Sequence, residues 1–483
     1  MLRIRVFQDG EPAKSVDIAS AYLVGNDRVP LRAEVKFSNG EIVFDTRSRG
    51  AAALAILWPV AGVGRVMLET PRLQERKTPY NLNVELARGQ LMRIAQKRED
   101  WGLYDFAEGA ALYKKVDAAR QILVAALTAE DESSASRHAD ECLSAGVRVG
   151  EELTALHAQV FLGRRGETGQ FSKRTFGCRV DPSQSSEAFL KCFGEGFDFA
   201  VLPFSWSSIE PQDGSPKPSN MDGLLKTLWQ RRVALWAASL VSLDPVQLPG
   251  WVQKSGRDFE KFREYVTRHV RHVLKTYGPY VQAWEVISAA HAYNSMGFTF
   301  EQIMDLTRIT ALLVKQMSPK SQSIIGIVQP WGEYYARDAR TIPPSLYAEM
   351  AVQSGINFDA FGLEIRFGTD EPGGCVRDLL QISSLLDRFG TLGKPVHITA
   401  AGVPSGRSSS NDGQWHGEWS PELQGEWLRE FCRIALSKPF VESIACMRLA
   451  DGADPNGVVD LNGAAKPAYQ EILKIRRQIG GNS

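Results

Sequence analysis

The spacing of apolar positions changes character twice along this chain. In the first stretch Leu31, Ala33, Val35 and Phe37 alternate with Arg32, Glu34 and Lys36, and after Asn39-Gly40 the apolar run resumes at Ile42-Val43-Phe44. Alternation interrupted by Asn-Gly predicts a hairpin, because both turn residues tolerate positive φ. Leu82, Val84 and Leu86 repeat the alternation and suggest another half-buried strand. Residues 1–100 therefore read as a β-rich module, a small antiparallel sandwich that is either carbohydrate-binding-like or plainly structural. From Trp101 to Arg165 the period becomes helical. Leu112, Val116, Ala119, Leu123, Ala126 and Leu127 form one face, and Leu143, Gly146, Leu153, Leu156 and Val160 form another. The polar segment between them offers Asp131 or Ser133 as an N-cap, so 101–165 reads as a helical hairpin. Such a hairpin either packs on its own domains or serves as an arm for self-association.

Beyond Gly166, short apolar runs alternate with amphipathic helices. The runs lie near 176, 197–202, 233–240, 281–287, 323–328, 358–365, 396–399 and 444–447, and helical patterns cover 259–276, 300–317, 376–389 and 421–436. Eight strand candidates over 166–483 predict an α/β domain of the (β/α)8 TIM-barrel type. Period and count alone also permit a doubly wound sheet.

A length of 483 residues suits two or three domains, with 43% hydrophobic and 23% charged residues as in a well-cored globular protein. The 56 basic residues balance 56 acidic ones, which argues against nucleic acid or an anionic membrane as a partner. The N-terminal residues alternate charge with apolar side chains, unlike a secretory leader. The most apolar stretch, 51–64, is too short for a bilayer and contains Pro59. Six scattered cysteines show no metal-ligand spacing and read as reduced thiols, so the expected location is cytoplasmic. Neither a metal nor a cofactor is expected, for the histidines form no constellation. His269 and His272 lie on a very basic helix and read as part of a solvated face, whereas His291 follows the fourth strand and is placed to reach the pocket.

Several segments then occur in a telling order. They are Trp206 with Glu210-Pro211, Leu248-Pro249-Gly250-Trp251-Val252, Tyr280 to Ile287 with Trp284, Lys394-Pro395-Val396-His397-Ile398-Thr399, and Asp460-Leu461-Asn462-Gly463 with Lys466-Pro467-Ala468-Tyr469. This ordered set resembles the family-10 glycoside hydrolases, the endo-1,4-β-xylanases, over most of 175–475. The resemblance implies a barrel whose fourth and seventh strands end in an acid/base and a nucleophilic glutamate. Here Ala289 and Ala400 hold those positions. A retaining glycosidase needs a proton donor and a carboxylate about 5–5.5 Å apart, and an alanine methyl supplies neither. Other positions depart too: Ser205 replaces a lysine, the third strand reads Trp236-Ala237-Ala238 to Ser242, Glu364 and Arg366 replace a glutamine and a histidine, and Cys446-Met447-Arg448 replaces a tryptophan pair.

These departures leave three readings. The first is a catalytically degenerate barrel acting in binding or assembly, with an oligosaccharide or a protein as ligand. The second is an active O-glycosyl hydrolase using relocated carboxylates, with Glu285, Glu333, Glu364 and Asp451 as candidates. Against it, Glu285, Glu364 and Arg366 also read as an ion-pair cluster filling a former site. The third is a structural homo-oligomer built through the helical hairpin. Candidate ligand-binding residues are Trp206, Glu210, His291, Gln329, Trp331, Arg366, Trp415 and Trp419. The loop tryptophans either stack on sugar rings or anchor their loops, and the long loop 403–419 lies on the strand-end face.

Overall fold

The computed structural model describes residues 2–480 apart from 47–49, 104–108, 183, 219–220, 369–372 and 408–412. Eight parallel strands close into a barrel, in the order β1 (Phe176–Arg179), β2 (Phe199–Pro203), β3 (Ala234–Ala238), β4 (Val281–Ser288), β5 (Gln322–Ile327), β6 (Ala360–Arg366), β7 (Val396–Gly402) and β8 (Val441–Cys446). Each lies within or overlaps a predicted apolar run, and closure excludes the doubly wound alternative. The strands are buried on both faces, which is why they read as continuous apolar runs. Phe199 and Trp236 stack at 4.0 Å inside the barrel, in a cluster with Val201, Ala283, Ile324, Ala360 and Ala445. The interior below the strand ends is therefore packed, and only the mouth is open to a ligand.

Two larger sheets and a two-stranded ribbon, Phe7–Gln8 with Glu11–Pro12, precede the barrel among the described residues. Leu2–Arg5 lies between Tyr80–Asn81 and Glu41–Asp45, with Glu34–Ser38 at the edge. The predicted hairpin forms with Ser38 opposite Glu41, and Asn39 and Gly40 adopt φ of 50° and 78°. The second sheet pairs Ala53–Val60 with Gly64–Glu69 and Tyr22–Val24. Ile4, Ile42 and Phe44 from one sheet share a core with Leu54, Ile56 and Leu68 from the other.

The β-module is shorter than predicted. Leu82, Val84 and Leu86 are not a strand but the first turns of α1 (Leu82–Asp100), capped where the Asn81 side chain accepts from the Val84 N–H at 3.3 Å. Asn83, Glu85 and Ala87 between them are buried as well, so the alternation marked a helix start enclosed on all sides. The hairpin follows as α2 (Ala110–Leu127) and α3 (Glu132–Glu167), with Asp131 as the cap of α3, accepting from Ser134 at 2.7 Å. The helix α3 packs against α1, α2 and the barrel helices α4 (Leu379–Gly390) and α5 (Pro421–Ser437), so it lies between the β-module and the barrel. Among the described residues no helix is long and apolar enough to cross a membrane.

Candidate functional site

All eight strands run in one direction, so their C-terminal ends share one face. Three residues there take left-handed backbone conformations: Ser239 (φ 53°) after β3, Ala289 (φ 58°) after β4 and Gln329 (φ 44°) after β5. For non-glycine residues this costs roughly 1–2 kcal/mol each, strain of a kind that gathers at strand ends forming a site. The mouth holds a cavity of about 460 Å³ lined by Arg179, Ser205, Ala289, Tyr293, Glu364, Arg366, Met447 and Arg448, with Asp181 and Asp244 at its edge.

Two of the predicted carboxylates meet here. Glu364 is buried at the end of β6, bound on one oxygen by Arg179 and on the other by Arg366 at 3.0 Å. Arg179 is itself fixed at the end of β1 by donating from Nε to the Thr399 carbonyl at 3.0 Å. Burial alone would raise the Glu364 carboxyl, but the two guanidinium charges outweigh it and hold it below the ordinary carboxylate value. Glu285 lies deeper in β4, accepting the Ser239 N–H at 3.2 Å. Gly326 of β5 makes room for it, since a Cβ there would overlap the carboxyl. Burial, reinforced by the Glu364 charge and opposed by Arg179, pushes Glu285 up to about 7. Of the ion-pair cluster read from the sequence, Glu364 and Arg366 do pair, with Arg179 as a second cation, whereas Glu285 makes no ion pair among the described residues. Arg179 was missed, although a cation closing an apolar strand run was a visible signal. Ala400 is fully buried beside Glu364 in the β6–β7 ladder, and Ala289 lines the cavity.

The remaining predicted site residues lie elsewhere. Trp206, Glu210 and His269 form one buried unit. The Trp206 indole donates to Glu210 at 2.9 Å and stacks on the His269 ring at 4.5 Å, while Glu210 also accepts from Arg268 at 3.0 Å. Trp206 therefore braces a short helix against Phe259–Tyr277 instead of facing a ligand. His269 corrects the solvated-face reading: it falls in the apolar stripe with Phe262, Val266, Val270 and Val273, and burial lowers it to about 3. His272 is exposed as expected. His291 is fully buried away from the mouth cavity, stacked on Tyr347 at 5.3 Å with Nε2 at 2.9 Å from the Val328 carbonyl.

Glu333 is enclosed with the fully buried Arg377, whose guanidinium also meets Tyr22 Oη and Gln381 Oε1, both at 3.1 Å, and covers the Trp331 ring at 4.6 Å. This cluster joins the β5 loop to the N-terminal sheet and lies outside the mouth cavity. Gln329 sits behind the mouth, donating to Tyr293 Oη at 3.3 Å. Asp451 pins the loop after β8 by pairing with Lys466 at 2.7 Å and accepting the Gly457 N–H at 2.8 Å. Trp415 and Trp419 are buried anchors. Trp415 forms the strand Gln414–Trp415, which pairs with Gly64–Glu69 of the N-terminal sheet. Its indole donates to Glu151 of α3 at 2.7 Å, and the other Glu151 oxygen lies 2.6 Å from His416 Nε2. Ser408 to Asp412 of this loop lie outside the described residues.

Among the described residues the mouth thus holds the clamped Glu364 carboxylate, the buried Glu285 carboxyl beneath it, Asp181 and Asp244 at the edge, three guanidinium groups and one half-exposed aromatic ring, Tyr293. No group of three or more metal-ligating side chains occurs among the described residues. An eight-stranded parallel β/α barrel with charged groups gathered on its strand ends is the general architecture of the TIM barrel. No protein-family model matches the chain, and no curated protein matches it in sequence. Solved structures match in fold. The catalytic core of xylanase A aligns at a TM-score of 0.50 with 16% identity, over 63% of this chain and 98% of that one. Native xylanase 10B from Thermotoga maritima gives 0.49 with 17% identity, over 66% of this chain and 99% of that one. The barrel has the fold of the family-10 xylanases.

Proposed function

We propose that this chain is a non-hydrolytic barrel protein that binds a polar ligand, a saccharide in the first instance, in its mouth. The observation that carries this reading is the clamping of Glu364 between Arg179 and Arg366 beside the buried Glu285, at a mouth where Ala289 and Ala400 stand in the positions that the resemblance assigns to catalysis. A nucleophilic carboxylate must approach the anomeric carbon, and one held by two guanidinium groups is both less basic and less free to move. Recognition would run through hydrogen bonds from Arg366, Arg448, Tyr293 and Ser205 more than through ring stacking, since the loop tryptophans are taken up as anchors. Titration calorimetry with xylotriose and with a panel of uncharged and uronic-acid oligosaccharides tests it. The expected result is binding weakened at least about tenfold by Arg366→Ala, with no reducing sugar released. An absence of heat with every saccharide removes the saccharide assignment.

A second reading, a glycosidase with relocated carboxylates, is favoured by one observation. Glu285 and Glu364 have been pushed apart in acidity, one holding its proton toward neutral pH and the other ionised. Slow release of reducing sugar that vanishes in both Glu285→Gln and Glu364→Gln would establish this reading and overturn the first.

A further inference from the structure

The basic residues of this chain, balanced overall, are not evenly spread. A cleft of about 500 Å³ opens where the N-terminal sheet, α1 and the barrel meet, with Trp331 in its lining and no lining residue shared with the mouth cavity. Much of its lining is apolar or aromatic, from Val24, Pro71, Leu385 and Trp331, beside the polar Thr70, Gln381 and Ser384, and the lining Met92 is 54% exposed. Around this surface stand Arg28, Arg72, Arg93, Arg388 and Lys97, against one lining carboxylate, Glu69.

Little of that positive charge is paired directly, although Asp27, Glu69 and Glu349 act on Arg388, and Asp378 on Arg93, through space. Lys97 is paired with Asp387 at 2.8 Å. The four arginines make no ion pair with a carboxylate among the described residues. Arg72 donates to the Gly25 and Asn26 carbonyls at 3.2 and 2.9 Å, and Arg93 donates to the Glu69 carbonyl at 3.1 Å and to the Gln90 side chain. Among the described residues Arg388 reaches the Asp27 carbonyl, at 3.5 Å. Carbonyl oxygens orient a guanidinium without cancelling its charge. The Nε of Arg93 is buried with no partner at all. Arg388 is lowered from its ordinary value by burial and by the charge of Arg28, with Glu349, Asp27 and Glu69 opposing. For the partly buried Arg93 and Arg388 such charge is costly unless an anion joins it, and the exposed Arg28 and Arg72 add to the same positive field.

We propose that this cleft is a second ligand site, specific for a small organic anion with a flat apolar body, such as a nucleoside or aryl phosphate or an aryl carboxylate. The anionic head is held by Arg28, Arg72 and Arg388, a fork geometry suited to phosphate and carboxylate alike. The flat body lies on the apolar part of the lining, against Trp331 and Met92. A cavity of this size lies within the range of small-molecule sites, and its position between folding units is a common one for them. The inference stands independently of what the barrel mouth binds.

Titration calorimetry on the full chain, with adenosine monophosphate, 2-naphthoate, adenosine and inorganic phosphate as probes, tests the assignment. At least one of the two organic anions is expected to bind, at least about tenfold more tightly than adenosine or inorganic phosphate. Which of them binds distinguishes phosphate from carboxylate recognition. Arg28→Glu and Met92→Glu change exposed side chains and spare the fold, and each is expected to weaken binding by at least about tenfold. Arg366→Ala, in the barrel mouth, is expected to leave it unchanged. The proposal is overturned if neither organic anion binds at about 5 mM, if adenosine binds as well as its phosphate, or if binding survives both cleft variants.

Discussion

Replacing Glu285 with glutamine puts the barrel's buried carboxyl to a direct test. Burial moves this group from its ordinary value of 4.5 to about 7, so between those limits the native state holds a proton that the unfolded chain releases. Its contribution to stability is fully present below about pH 4.5, declines as the pH rises, and is lost above the folded-state value. At about 1.36 kcal/mol per pH unit the loss amounts to about 3 kcal/mol. Glu285 is only 3% exposed, so solvent does little to screen the effect. An amide keeps an oxygen for the Ser239 N–H and titrates nowhere in this range. The stability of the wild type relative to Glu285→Gln is therefore expected to fall by about 3 kcal/mol between about pH 4.5 and pH 8. His416, raised by its hydrogen bond to Glu151, loses its own contribution as the pH climbs, but it is common to both proteins and cancels in the difference. Urea unfolding followed by tryptophan fluorescence at pH steps across the window supplies the measurement. A difference that stays constant with pH would refute the reasoning.

Two substitutions test how the units are joined. Arg377→Ala strands Glu333 in a buried site and removes a partner from Tyr22 and Gln381, so a loss of about 3–5 kcal/mol is expected from the urea midpoint; a loss below about 1 kcal/mol would mean that the cluster is not integral to folding. Gly89→Ala sets two effects against each other. Helix propensity favours alanine by about 1 kcal/mol, yet the new Cβ would overlap the Glu69 carbonyl where α1 crosses the N-terminal sheet. Forced backbone shifts cost roughly 1–3 kcal/mol, so a lowered melting temperature is expected, and a raised one would show that the crossing yields freely.

The barrel was legible because its chemistry is local. Strands buried on both faces give unbroken apolar runs, and Phe300–Met317 matches its predicted limits because Thr299 and Gln302 form a capping box at its start. The start of α1 was misread for a complementary reason: Leu82 to Ala87 are all buried, polar residues included, so no exposed polar face marks the helical period there. The site was less legible, since its decisive pairings are remote in sequence. Arg179 and Glu364 are 185 residues apart, and Tyr22 and Arg377 are 355 apart. Motif position drew attention to Trp206 and Glu210, whose partners on Phe259–Tyr277 only the packing reveals. The cationic cleft escaped notice because Arg28, Arg72, Arg93 and Arg388 come from four separate segments, each unexceptional in its own neighbourhood.

The two-residue strand Gln414–Trp415 has a wider implication. It belongs to the loop after β7, yet it completes the edge of the N-terminal sheet, and Glu151 of α3 holds it in place. A module that precedes a barrel is readily pictured as a separate cassette, joined to it at a linker alone. This one is sewn to its barrel by a thread drawn from the barrel's own C-terminal half. A gene fragment ending before residue 414 would encode a sheet with a bare, pairing-competent edge, the kind that recruits stray strands. A cut at the apparent boundary therefore separates the sheet from one of its own strands, and the two parts complete each other only within one chain.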